Sequence, residues 1–268
     1  MAEIALDLRA VVPARHAYPP PEPCWCVRSD NPHGADSSGW TPGRATGLSS
    51  GVSSTNPVSR LGTLSDWARA LRSLAEPVAS PCLPTQESEV AHFRDELGHS
   101  RAVDEPFLRH VCGLPARAPE LKAASPDVAL WWMTLDDEAS PWPLLDADGT
   151  HLIPRSDACQ IEIWTETELS ALHAVWTIAS IRNDADLARR CLVAARWHVA
   201  ELQPDNATNH PWAIHVFLEL WIRSDSPEAR LHAESLLHNC LVQRGQPDVF
   251  SAIILLDAAR TLEGGSVR

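Results

Sequence analysis

Residues 201–220 read ELQPDNATNHPWAIHVFLEL, and the architecture turns on how this segment divides. An apolar helix ends at Gln203-Pro204, because proline has no backbone N–H to donate and its ring blocks the preceding turn. A polar link follows, carrying Asp205, Asn206, Thr208, Asn209 and His210. Pro211 then opens a helix that is apolar nearly all round (Trp212, Ile214, Val216, Phe217, Leu218, Leu220, Trp221 and Ile222). A helix without a polar face belongs at the centre of its fold.

Upstream, Thr165 and Glu168 have the spacing of a capping box, and Leu169, Leu172, Trp176 and Ala179 line one face to about Ile181. From about Asp184 a second helix places Leu187, Ala188, Cys191, Leu192, Ala195, Val199 and Leu202 in one stripe. Downstream, Ser226-Pro227 is an N-cap followed by proline at the first helical position, and that helix ends at Gly245. Pro247 opens a last helix running to Gly264-Gly265. Five helices with mostly short links over 164–268 predict a mainly α fold, an antiparallel helical hairpin array of solenoid-like kind.

The middle segment, 59–163, predicts short helices over Ser65–Ala75 (stopped by Pro77), Gln86–Leu97 and Glu105–Cys112. Between 126 and 163 the apolar runs shorten around Asp148-Gly149, a combination that predicts a small β-hairpin. Asp136-Asp137-Glu138 lacks the second charged partner that magnesium-assisted diphosphate chemistry requires, and reads as a solvated turn. Residues 1–58 are rich in Pro, Ser, Gly and Asn and predict a flexible tail. Cys24-Trp25-Cys26 has no further pair of ligands nearby, so no metal site is assembled from sequence.

The net charge of −13 argues against a nucleic-acid partner, which requires a clustered basic face. No run approaches the ~20 apolar residues of a membrane span. Seven cysteines without framework spacing fit a reducing compartment, and the first residues make a poor secretory signal. The expected location is the cytoplasm. The sequence names no cofactor.

Several polar groups fall on faces that should be buried. His198 lies among Leu187, Cys191, Ala195 and Leu202; His173 sits at the edge of its stripe; His215 belongs to the apolar helix; Asp257 projects between Phe250, Ile253 and Ile254. A buried carboxylate is costly unless paired, so Asp257 calls for a partner such as a histidine, an arginine or a helix N-terminus. Each alone reads as a hydrogen-bonded core group or inter-helix clamp; together they could line one wet pocket. The link supplies Gln203, Asp205, Asn206, Asn209 and His210, more polar groups than a single cap needs.

Asn209-His210, followed by Trp212 at the head of a central helix, resembles the α/α-toroid proteins, the six-hairpin glycosidases and polysaccharide lyases. The resemblance covers about 20 residues and implies a partial α/α toroid. It implies that Asn209 neutralises a uronate carboxylate and that His210 moves the proton. The usual acid is a tyrosine, and the only tyrosine here is Tyr18, in the tail. Two functions follow. One is a noncatalytic helical array that binds another protein. The other is a carbohydrate-active lyase or hydrolase using His210, Asn209, Asp205 and Asp257 as catalytic groups, with Gln203, Asn206, His173, His198, His215 and Trp212 around the ligand.

Overall fold

The computed structural model describes residues 61–116, 125–155, 160–202 and 210–264. The expected tail, and Gln203, Asp205, Asn206 and Asn209 of the polar link, lie outside the described residues. Within them the chain forms α1 (Leu64–Ala79), α2 (Glu87–Ala91), α3 (Asp104–Val111), α4 (Pro126–Met133), α5 (Ile161–Arg182), α6 (Ala185–Glu201), α7 (Ile214–Ser224), α8 (Pro227–Leu241) and α9 (Val249–Gly264). None of these helices is long and apolar enough to cross a membrane.

Helix ends follow local chemistry. Asp184 caps α6 by accepting from the backbone N–H groups of Asp186 and Leu187, both at 3.0 Å. Ser226 caps α8 through the N–H of Ala229, with Pro227 at the first helical position. Asn183 adopts φ +51° and ends α5, a left-handed conformation that Asn tolerates better than most residues. Pro77 does not stop α1, which continues to Ala79. The cost of an internal proline is offset by packing, because Ala75 and Ala79 on either side of it are fully buried.

Successive helices pack in pairs from α4 to α8, and α1 lies along α9. The apolar helix α7 touches α1, α5, α6, α8 and α9, which gives it the central position expected from its circumference. All residues from Ile214 to Leu220 are buried, and each large apolar side chain there contributes about 2 kcal/mol relative to exposure. A second centre is aromatic. The Phe107 ring lies 4.8 Å from Trp131, 4.9 Å from Trp212 and 5.8 Å from Phe250, all edge to face. It ties α3, α4, α9 and the approach to α7 together.

Three expectations are corrected. The Gln86–Leu97 helix shrinks to Glu87–Ala91, because Asp95 accepts from the N–H groups of Leu97 and His99 and turns the chain. The first of the apolar runs between 126 and 163, expected to belong with the β-hairpin, is a helix over Pro126–Met133. The expected β-hairpin has its turn, with Gly149 at φ +80° and one cross-turn bond from Asp146 N to Leu152 O at 2.6 Å, but no strand among the described residues. Side chains take the backbone groups that a ladder would need. Glu168 accepts from the N–H groups of Leu152 and Ile153 at 2.5 and 2.8 Å, and Arg190 donates to the carbonyls of Asp146 and His151. Glu168 is therefore not a capping-box residue: α5 begins at Ile161, a full turn earlier, and the carboxylate is buried under the loop.

Candidate functional site

Helix α5 sets the positions. Glu166, Ser170, His173 and Thr177 recur at helical spacing, so they project from one face. His173 is fully buried, with Nε2 3.1 Å from Asp257 Oδ2 and Nδ1 accepting from the backbone N–H of Ala213 at 3.3 Å. That acceptance places the ring proton on Nε2, which donates to Asp257. Ala213 has φ +55°, and its carbonyl accepts from Val216 and Phe217 as α7 begins. One imidazole thus joins α5, α9 and the start of α7.

Asp257 is the partnered buried carboxylate that its position demanded. Burial pushes its pKa up, but the hydrogen bond from His173 and the imidazoles of His110, His173 and His215 outweigh burial and bring it down to about 2. His110 Nε2 lies 3.8 Å from the second oxygen. The His215 ring stands 4.3 Å from that of His173, and burial, then His173, drive its pKa well below the ordinary value. These groups form a clamp of imidazoles around one buried anion.

His198 belongs to another group. It is fully buried, 3.8 Å from Glu168 Oε1, with its ring 6.4 Å from that of His232. His232 lies flat on Phe217 at 4.2 Å and is lowered to about 3 by burial and His198. The imidazoles expected around one pocket therefore divide into two interior groups, and His210 stands in a third.

His210 lies at the entry to α7. Its Nδ1 is 3.0 Å from Ser251 Oγ, and Ser251 donates to Asp248 at 2.8 Å. The imidazole Nδ1–H therefore donates to the hydroxyl oxygen, and Nε2 lies 4.0 Å from Glu166 Oε1. Burial lowers His210 to about 4, with Arg101 adding to the effect. Burial raises Glu166 to about 7 despite Arg101 and a hydrogen bond from the Trp212 side chain. Glu166 nonetheless keeps 36 % of its side chain open to solvent. Trp212 itself is buried in the aromatic centre, so its role is to hold Glu166 rather than to offer a ligand face.

On its other side His210 lines a polar groove of about 220 Å³ with Asp95, Arg101, Asn239, Gln243 and Asp248. Arg101 is held by Asp95 at 2.7 Å and lies 4.5 Å above the Phe250 ring. Behind Glu166, Asp127 is buried and hydrogen-bonded to Ser125 and Ser170, and burial raises its pKa. Glu166, Arg101, Asp248 and Ser251 were not among the residues singled out from sequence. The polar stripe of α5 was the available signal for Glu166; the others are brought in by tertiary contacts. Asp136, Asp137 and Glu138 are exposed, and Glu138 N bonds to Asp136 at 3.0 Å, as a solvated turn does. No protein-family description, curated protein or solved structure matches the chain.

Proposed function

We propose that the chain is a carbohydrate-active enzyme of the general acid–base type, a lyase cleaving uronate-containing sugars, with His210 as base and Glu166 as acid. The observation that carries this reading is the pairing itself. An imidazole on the wall of an open polar groove meets, at 4.0 Å, a partly open carboxyl, and the two titrate in reversed order, about 4 and about 7. His210 is neutral above its value and Glu166 protonated below its own, so a base and an acid coexist only between the two.

In the reaction, His210 Nε2 takes the proton on the carbon beside the substrate carboxylate. The released electron pair forms the ring double bond as the glycosidic carbon–oxygen bond breaks, and Glu166 gives its proton to the departing oxygen. The proton on His210 then returns to Glu166, across a gap that one water spans. Arg101 lines the groove and acts electrostatically on both groups, so its cation is placed to offset the charge of the uronate. The amides of Asn239 and Gln243 suit sugar hydroxyls, since each both donates and accepts. Glu166 takes the part that a tyrosine plays in the lyases that residues 201–220 resemble, and Asn209 remains the proposed neutraliser.

The test is a set of polyuronates and neutral polysaccharides incubated with the full chain, followed by ultraviolet absorbance of the new double bond and by reducing ends. A bell-shaped rate profile with flanks near about 4 and about 7 is expected. Glu166→Gln should lower kcat by about 100-fold or more and remove the alkaline flank. Undiminished turnover in that variant rules the assignment out. The other function, binding of a partner protein, draws support from exposed apolar side chains such as Leu231 and Val242. It predicts no turnover of any polysaccharide and partner binding indifferent to His210→Ala.

A further inference from the structure

The loop before α5 reads Asp146-Ala-Asp148-Gly149-Thr150-His151. The two carboxylates and the imidazole bring one ligand atom each to within 4.8 Å of one another. Carboxylates on a loop are commonly solvated and imply no ligand, and the two aspartates also accept from backbone N–H groups of the turn. His151 is different. Its side chain is 9 % exposed, and Nδ1 is a buried atom that makes no hydrogen bond although Asp146 Oδ2 lies 3.1 Å away. A buried ring nitrogen beside a carboxylate oxygen, but not directed along a bond to it, leaves room for an electrophile between the two. Its loss of solvation costs about 1–3 kcal/mol unless something replaces the water.

The spacing fits an ion. Ligand atoms bonded to one metal at about 2.1 Å stand about 3.0–3.5 Å apart in octahedral or tetrahedral arrangements; the His151–Asp146 separation of 3.1 Å falls in that range, and the more open Asp148 carboxylate, 3.7 Å from the ring, has a few tenths of an ångström to close. The imidazole is fixed in place, with the Trp164 and Trp197 rings edge-on at 5.5 Å each. Local charge also has room for a dication. Arg190 directs its hydrogen bonds to the carbonyl oxygens of Asp146 and His151. Among the carboxylates that act on it, Glu168 comes ahead of Asp148 and Asp146. Three carboxylates thus face a single guanidinium, and the two on the loop are left facing His151.

We propose that Asp146, Asp148 and His151 bind one divalent transition-metal ion, of the Mn²⁺ or Zn²⁺ class, through the two carboxylates and a ring nitrogen of His151. A nitrogen ligand favours these ions over Ca²⁺, which selects oxygen alone. The ion would fasten the loop that Glu168 and Arg190 hold from beneath. This site is independent of the acid–base assignment at His210 and Glu166.

The experiment is calorimetric titration of the chelator-treated full chain with MnCl₂, ZnCl₂ and CaCl₂, with thermal unfolding measured on the same samples. Mn²⁺ or Zn²⁺ is expected to bind one per chain and raise the midpoint of unfolding. Mn²⁺ should also broaden the indole NMR signals of Trp164 and Trp197 by its paramagnetism. Asp148→Asn should weaken binding by about tenfold or more. Asp148 is the most open of the three, with 37 % of its side chain exposed, so this variant keeps the fold. His151→Gln is the second variant, and its loss of affinity must exceed any change in Ca²⁺ binding. The proposal is overturned by absence of Mn²⁺ and Zn²⁺ binding at millimolar concentration, by binding that survives Asp148→Asn, or by a preference for Ca²⁺ that His151→Gln leaves alone.

Discussion

Replacing Asp257 by Asn keeps the shape of the side chain and an oxygen facing His173, but removes the charge. In the native chain the carboxyl moves from its ordinary 3.8 to about 2. With about 1.4 kcal/mol per pKa unit, the ionised carboxylate contributes on the order of 2 kcal/mol at neutral pH. The sign follows from the direction. A carboxyl lowered by folding stabilises fully above its unfolded value and loses that contribution as pH falls through its folded one. The deficit of Asp257→Asn should therefore stand near 2 kcal/mol at neutral pH, shrink below about pH 4 and vanish near about pH 2. Asp257→Ala should cost more, about 3–5 kcal/mol, because the buried Nε2–H of His173 loses its acceptor. Urea unfolding followed by tryptophan fluorescence measures both, since the rings of Trp131 and Trp212 lie 5.3 and 5.6 Å from that of His173. Equal midpoints for Asp257→Asn and the native chain at neutral pH would refute the clamp. A deficit that persists unchanged in acid would refute its electrostatic origin.

Glu168→Gln should destabilise by about 3 kcal/mol, because the amide NH₂ would face one of the two backbone N–H groups that the carboxylate now accepts. Amide hydrogen exchange at Leu152 and Ile153 should rise in the same variant, and unchanged protection there would show that Glu168 does not hold the loop. At Ala213, glycine should be neutral or stabilise by up to about 1 kcal/mol, as relief of the left-handed strain exceeds the entropy it adds to the unfolded chain. Ala213→Val should lose about 2 kcal/mol or more for the opposite reason. Thermal midpoints ranking valine above glycine would contradict the positive φ.

The helices of the C-terminal half were legible because each carries a signal readable within a few residues. Asp184 and Ser226-Pro227 mark two starts, and the unbroken apolar circumference of 212–222 marks the central helix. Burial of His173, His198, His215 and Asp257 followed from the same periodicity. Which of them meet did not follow, because periodicity gives a face and not the neighbour on the other side of it. His173 and Asp257 are joined by a side-chain bond from α5 to α9, whereas His198 turns toward α8 and His232. The short apolar runs of 126–153 were ambiguous between strand and helix. Those of 144–153 were decided by Glu168 and Arg190, whose hydrogen bonds to the loop come from residues 15 to 44 positions away. Glu166 was not legible because the capping-box spacing of Thr165 and Glu168 makes it a first-turn residue, whereas α5 begins at Ile161 and carries it toward His210.

The division between interior and mouth also has an energetic reason. A proton-transfer group must change charge during turnover, and deep in this core such a change is resisted. Asp257 is bound as an anion by a donor it cannot release without loss of stability, and His215 and His232 are kept neutral by burial. Glu166 is the counter-example on the same helix face as His173. It lies two turns earlier, its pKa is raised rather than lowered, and it retains contact with solvent. One stripe of α5 therefore runs from a half-open carboxyl to a fully enclosed imidazole. That gradient, from open to enclosed along the same face, is the physical reason for proposing Glu166 and His210 rather than His173 and Asp257 as the proton-transfer pair.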